Sequence, residues 1–244
     1  MNQCRSTTAT SFHAAGIGHF LKSFAALMTA VASVFPVAAV FAAAPIAAAL
    51  PLPALAAPVP FSAKYDANYD GLPVRAQGVR ELKQMPDGSY LLTSSASAFF
   101  AEIHEQSKFT WNGQGPVSRQ YEYQRKGLGK NRSSNVQFDW ETGRATDRRS
   151  NKPWTLDVSP GTLDKLAYQL KLRADVQRQL ASGKPFETLV YAVADNGRMR
   201  HFEFEIEGRE TLSTPLGEIE TLKVRRVRDD PRRDTIFWLA PEYD

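Results

Sequence analysis

Cysteine is nearly absent. The one cysteine, Cys4, lies before the apolar run that begins at Phe24. Nothing downstream can form a disulfide, a thiol nucleophile or a Cys-based metal site. A lipid anchor needs its cysteine just after such a run, so that route is closed too. Histidine is scarce: only His104 and His201 lie beyond residue 56. A zinc site needs three or four ligands at close range, and two separated histidines with scattered carboxylates do not supply them. We expect no metal and no cofactor. Excess charge is also small. The net charge is +4, and loss of Arg5 and Lys22 with a leader would leave +2, too little to argue for nucleic acid. No G-x-S-x-G elbow is present. "KGLGKNR", Lys126 to Arg132, lacks the earlier glycine and the hydroxyl after lysine that a phosphate loop requires.

What is present begins with a leader. Arg5 and Lys22 are its only charged residues, and "FAALMTAVASVF" (Phe24 to Phe35) follows. Ala-rich segments broken by Pro36, Pro45, Pro51 and Pro53 come next. A positive start, an apolar middle and small residues for the peptidase are the order of a Sec-type signal peptide. Ala54-Leu55-Ala56 fits the A-x-A cleavage pattern. We therefore expect residues 1–56 to be removed, residues 57–244 to form one β-rich periplasmic domain, and no stable membrane span to remain. Roughly 190 residues suffice for a core of their own.

Beyond the leader, turn signals recur every dozen residues or so, and the segments between them alternate with period two. This predicts strands over Phe61–Tyr69, Val74–Gln84, Ser89–Phe99, Ile103–Trp111, Val117–Arg125, Asn135–Trp140 and Arg144–Ser150. One segment, Ser159 to Pro185, has helical spacing instead: Leu163, Leu166, Ala167, Leu170, Ala174 and Leu180 make one stripe. Ser159 or Thr162 would cap it, and Gly183 with Pro185 would stop it. Its stripe should lie on a sheet face, because a lone helix cannot bury an apolar side otherwise.

Asn196-Gly197 then predicts a two-residue hairpin turn, pairing Tyr191 with Phe202 and Leu189 with Phe204. In "HFEFEIE", His201 to Glu207, aromatic and acidic residues alternate; "LKVRRVR", Leu222 to Arg228, answers with basic ones. We expect Phe204 opposite Val224, Glu205 opposite Lys223 and Glu203 opposite Arg225. Each exposed pair is worth about 0.2–1 kcal/mol. Burying each Phe contributes about 1.5–3 kcal/mol, so the charges set register more than stability. The last strand, "TIFWL" (Thr235 to Leu239), is too apolar for a bare edge. Closure of the sheet is thus left open at Asp244.

"LDKLAYQLKLR", "TPLGEIETLKVRR" and "TIFWLAPEYD", following a signal peptide, resemble the bacterial domain-of-unknown-function 3108 family. The resemblance runs from about Phe61 to Asp244, with the helix and the Thr214-to-Gly217 turn best matched. It implies an exported β-rich envelope protein and carries over no catalytic residue. The expected fold is mainly β: a curved antiparallel sheet, half-barrel or open barrel, with one long helix packed on it.

The functional expectation is a non-catalytic protein that binds a lipid or other apolar ligand. Tyr121, Tyr123, Phe138, Trp140 and Trp238 are its pocket candidates, and the basic loop residues Lys126, Lys130 and Arg132 are candidates for headgroup contact. Cavity and filled core both place aromatics on the concave face, so sequence leaves that choice open. Two alternatives stand beside it. One is a scaffold that binds an envelope protein through a strand edge or through Arg225 to Asp234. The other is a hydrolase of envelope glycans or esters, with His104, Asp139 and Glu141 as the groups to test.

Overall fold

A computed structural model describes residues 6–8, 55–69, 72–98, 101–127, 131–150, 152–214, 217–228 and 235–243. Most of the leader, including Arg5, Lys22 and the run from Phe24, lies outside them.

Among the described residues, the strands fall into two sheets. The first holds nine strands in chain order: β1 (Ser6–Thr8), β2 (Phe61–Tyr69), β3 (Leu72–Gln84), β4 (Tyr90–Ala98), β5 (Ala101–Trp111), β6 (Pro116–Gly127), β7 (Arg132–Asp139), β8 (Arg144–Asp147) and β9 (Trp154–Asp157). All its pairings are antiparallel except β1 with β2. After the helix α1 (Ala167–Ser182) come β10 (Leu189–Asp195), β11 (Arg198–Thr214), β12 (Gly217–Val227) and β13 (Thr235–Leu239), an antiparallel second sheet. The expectation of a mainly β fold of open antiparallel sheet with one helix holds. The sheet hydrogen bonding is divided in two, and β9 joins the predicted strands.

The concave face of the first sheet is built by register. Leu82, Leu92, Ser107, Tyr121, Val136 and Asp147 are successive cross-strand partners from β3 to β8. All six are buried. Alternation sends every second side chain to this face, which is why period two was readable in these segments.

The helix departs from the single stripe expected of it. It is wedged between the sheets. Leu166 and Leu170 pack into the core of the first sheet. Ala167, Tyr168, Leu172 and Val176 pack into the second, against Tyr191, Phe202, Phe204, Leu222 and Val224. Tyr168 meets the Phe202 ring edge-on at 5.1 Å and stacks on Phe204 at 5.8 Å. Two apolar faces leave a broad band rather than one stripe, so half of the buried set was missed.

The cap also differs. Neither Ser159 nor Thr162 caps the helix by side chain. Asp164 does: its Oδ1 accepts hydrogen bonds from the Leu166 and Ala167 N–H groups, both at 2.8 Å. These are orphan donors of a helix start. Gly183 ends the helix in the left-handed region, φ 64°, as its position predicted.

The β10–β11 hairpin keeps its expected register, Tyr191 with Phe202 and Leu189 with Phe204. The β11–β12 register is corrected. Phe204 lies opposite Arg226, Ile206 opposite Val224 and Glu205 opposite Arg225. A bulge at Glu207–Gly208, with Gly208 at φ 137°, inserts a residue that a plain count from the turn does not contain. Arg225 therefore bonds Glu205 and Glu207 at 2.5 and 2.6 Å, and Lys223 lies 3.5 Å from Glu207 and 3.7 Å from Glu210. Arg226 sits on the aromatic side, its guanidinium 3.4 Å from the Phe202 ring centre. The ladder of opposite charge is real; its partners are shifted.

Candidate functional site

Where β2 of the first sheet approaches β13 of the second, with α1 behind them, a cavity of about 270 Å³ remains. Its apolar wall includes Phe61 of β2, Leu180 of α1, Leu212 of β11, and Phe237, Trp238 and Leu239 of β13. All six are half-buried, in contrast to the fully buried Leu222 and Val224, the β12 partners of Leu239 and Phe237. The β13 strand is the one judged too apolar for a bare edge. It is an edge among the described strands, and its side chains face this cavity instead of a further strand.

The charged groups of the lining are of one sign. Arg80 and Arg173 are its ionisable cations, and no described carboxylate residue lines it. Arg173 lies over the Phe61 ring at 5.6 Å. Arg80 donates from Nη1 to Gln169 Oε1 on α1 at 2.6 Å. Its Nε is buried without a hydrogen-bond partner, and among the described residues Arg80 makes no ion pair. Burial pulls its pKa below the ordinary arginine value, yet a guanidinium stays charged at neutral pH. The Glu105 carboxylate acts in the opposite direction and offsets part of that burial cost.

A second, more open depression of about 530 Å³ lies between Trp140, the Pro160–Leu163 segment and the β10 edge. Its charges are already matched. Lys171 Nζ is 2.6 Å from both oxygens of Asp175, and the Tyr191 hydroxyl donates to the same carboxylate at 2.8 Å. Burial pushes that tyrosine's pKa upward, with Asp175 adding to it.

The structure does not bring the aromatic candidates together. Trp238 lines the cavity and donates from Nε1 to Glu210 at 3.2 Å. Tyr121 and Phe138 are buried in the first core, and Tyr123 and Trp140 pack against it. Trp140 stacks on Phe138 at 5.7 Å and also borders the open depression. Tyr121 donates to Glu105 at 2.7 Å; burial, then Glu105, pushes its pKa well up. Of the basic candidates, Lys126 and Arg132 are exposed and line neither space. Lys130 lies outside the described residues. The cations at the cavity are Arg80 and Arg173, which sequence reasoning missed. A signal existed: Arg80 falls in a strand whose alternate positions are apolar, so its side chain had to be accommodated somewhere special.

The hydrolase candidates are also apart. His104 is exposed and lies opposite Ser95 in register, with no hydrogen bond between them. The row through His104 crosses β6 at Gln124 and β7 at Ser133, six positions from Asp139. Asp139 accepts from the Glu141 and Thr142 N–H groups at 3.0 and 3.2 Å, and hydrogen bonding from Thr142 holds its carboxyl below the ordinary range. That is a turn-closing role. Among the described residues no group of three metal-ligating side chains occurs, and no helix is long and apolar enough to cross a membrane.

Comparison with known proteins identifies a family. The family described as Protein of unknown function (DUF3108) matches residues 64–244. The chain belongs to the DUF3108 family. In this DUF3108 protein the match covers β3 to β13 and the helix, and hence nearly all of the cavity wall. The chain is also similar to a solved structure, the beta-barrel-like protein of domain of unknown function DUF1849 from Brucella abortus. Identity is 12%, covering 69% of this chain and 78% of that one, with a TM-score of 0.42. No match is found among curated proteins.

Proposed function

We propose that the chain is exported to the periplasm and there binds, without catalysis, the apolar chain of an envelope lipid or lipoprotein in the cavity between β2, α1 and β13. The observation that carries the reading is the unfilled wall. Phe61, Leu180, Leu212, Phe237 and Leu239 are apolar, half-buried and turned to one space. Protein interiors are otherwise close-packed, so apolar side chains left around a cavity gain contacts only when something enters it. Binding sites are commonly concave and mostly apolar, with a few polar groups, and this wall has that composition. Export is supported by the Arg5–Lys22 start, the apolar run and Ala54-Leu55-Ala56.

Native mass spectrometry of protein released gently from the periplasm tests both parts. We expect a chain beginning at Ala57 that carries one lipid. A bare mass, under conditions that keep lipid on a known carrier, would remove the binding reading; a retained leader would remove the export reading.

One observation favours a protein partner as a second reading. β10 ends the strand order of the second sheet; Leu163 pairs with it at Ala192 and Ala194, while Val190 nearer its start is 55% exposed. An extended peptide can add to such an edge. Recovery of one specific protein by periplasmic crosslinking from position 190 would support it.

A further inference from the structure

We infer that the cavity selects an amphiphile by the length of its apolar chain and is blind to the headgroup that the chain carries. This rests on the binding reading above and adds its specificity. The observation behind it is that the polar side chains of the described lining are engaged within the fold. Arg80 donates from Nη1 to Gln169 at 2.6 Å. Its Nε has no accessible surface to offer a ligand, and Tyr65 and Glu105 act favourably on its charge. Arg173 covers the Phe61 ring at 5.6 Å, and Tyr65, Arg173 and Gln177 each have further interactions within the protein. The Thr214 and Thr221 hydroxyls donate to the Gly217 and Glu210 carbonyls at 2.9 and 2.6 Å. The Trp238 indole donates to the Glu210 carboxylate at 3.2 Å. Ser62 lies opposite Glu81, whereas Phe61 and Ala63 lie opposite Leu82 and Arg80; alternation therefore sends its hydroxyl to the other face of the sheet.

A site tells headgroups apart by presenting a buried polar group that the wrong ligand leaves unpaired. Among the described residues this wall presents no such side chain. A ligand group that took the Thr221 or Trp238 donor would break one bond for each it made. The outer edge of β13 still carries backbone N–H and C=O groups. Donors and acceptors alternate there, so that edge does not choose between charges. What remains is burial, which is non-directional and follows apolar area. The half-buried Leu180, Leu212, Phe237 and Leu239 provide that area. A headgroup that followed its chain inward would lose water and find no free partner, which is costly. It therefore stays in solvent. The ligand class is an amphiphile defined by its chain, whether its head is an acid, an ammonium group or a sugar.

Titration calorimetry of the unlipidated protein at physiological salt tests this. Sodium dodecanoate, dodecyltrimethylammonium bromide and dodecyl maltoside share a chain and carry a negative, a positive and a neutral head. Each is used below its micelle concentration. We expect their affinities to fall within about fivefold of one another. A wider spread would overturn headgroup blindness and leave chain binding standing. Sodium octanoate against sodium decanoate tests the other half. Decanoate should bind at least about fivefold tighter, since each buried methylene contributes about fourfold; a smaller gain would overturn selection by length. Leu212→Trp, which fills the same space, should weaken all three dodecyl probes alike. Weakening of one probe only would mean that its head is held inside, against the inference. Failure of every probe to bind the unsubstituted protein would overturn chain binding itself.

Discussion

Two buried aspartates hold the first sheet to the loops around it, and their charges answer oppositely to pH. Asp147 is wholly buried. Ser134 donates to its Oδ2 at 2.5 Å, and the Asn135, Arg149 and Ser150 N–H groups donate to Oδ1 at 2.9–3.1 Å. Burial acts to raise its pKa, but these four bonds together outweigh it and hold the carboxyl below the ordinary range. A depressed pKa in the folded state contributes stability above the unfolded value, near 4. That share is lost as pH falls through the folded value. Asp164, also buried, takes Ser107 and Ser118 hydroxyls at 2.7 and 2.6 Å besides the two helix N–H groups. There burial wins and the pKa is raised. Its share is present below the unfolded value and is lost as pH rises through the folded one. Of the two, Asp147 is therefore the one that adds acid sensitivity. Urea midpoints measured from pH 6 down to pH 3 should fall less steeply in Asp147→Asn than in the unsubstituted protein. Parallel curves would show that other carboxylates set the slope. Neither aspartate was picked out from sequence. The backbone donors at i+2 and i+3 are those of any turn or helix-start aspartate, but the serine hydroxyls that complete each site come from strands distant in sequence.

At the scale of elements, turns were more legible than pairings. The Asn196-Gly197 turn was readable because two consecutive positive φ values, 51° and 73° here, select those residue types. A second constraint on Gly197 was not readable. A Cβ built there would stand 3.0 Å from Cβ and Cγ of Trp154, so β9 of the first sheet packs its indole against the hairpin of the second. Gly197→Ala combines left-handed strain with displacement of a tryptophan. We expect it to lower stability by about 1–3 kcal/mol, and more than Gly183→Ala, where φ is 64° and no atom lies within 4 Å. Equal costs in denaturant titrations would mean that Trp154 moves freely aside. The β11–β12 register was misread for a related reason. The expected pairing of Phe204 with Val224 lies two positions from the observed one with Arg226, and a slip of two leaves the alternation on both faces unchanged. The helix start failed similarly: Ser and Thr are good caps in isolation, but Asp164 reaches the first turn and the serines of β5 and β6 together.

At the scale of the molecule, alternation identified a mainly β chain with one helix, yet could not reveal two sheets with the helix wedged between them. Period two records that one side of a strand is buried, not what it is buried against. The choice between a filled core and a cavity was undecidable for the same reason, and the answer is both. Phe204, at 0% exposure, sits in packed core, while Phe237, on the neighbouring part of the same sheet, is half-buried at the cavity. This division has an energetic signature. Leu92 is fully buried and lines neither space, so Leu92→Ala should cost about 2–5 kcal/mol through lost transfer energy and a new void. Leu212 faces space that is already empty, so its truncation removes fewer contacts and should cost well under half as much. Enlarging it has the reverse consequence. Leu212→Trp should fit without overpacking, leave the urea midpoint near that of the unsubstituted protein, and weaken dodecanoate binding at least tenfold by occupying the cavity. A Leu212→Ala cost equal to that of Leu92→Ala, or a Leu212→Trp protein that unfolds, would mean that the seam between β2 and β13 closes in solution and that no chain is held there.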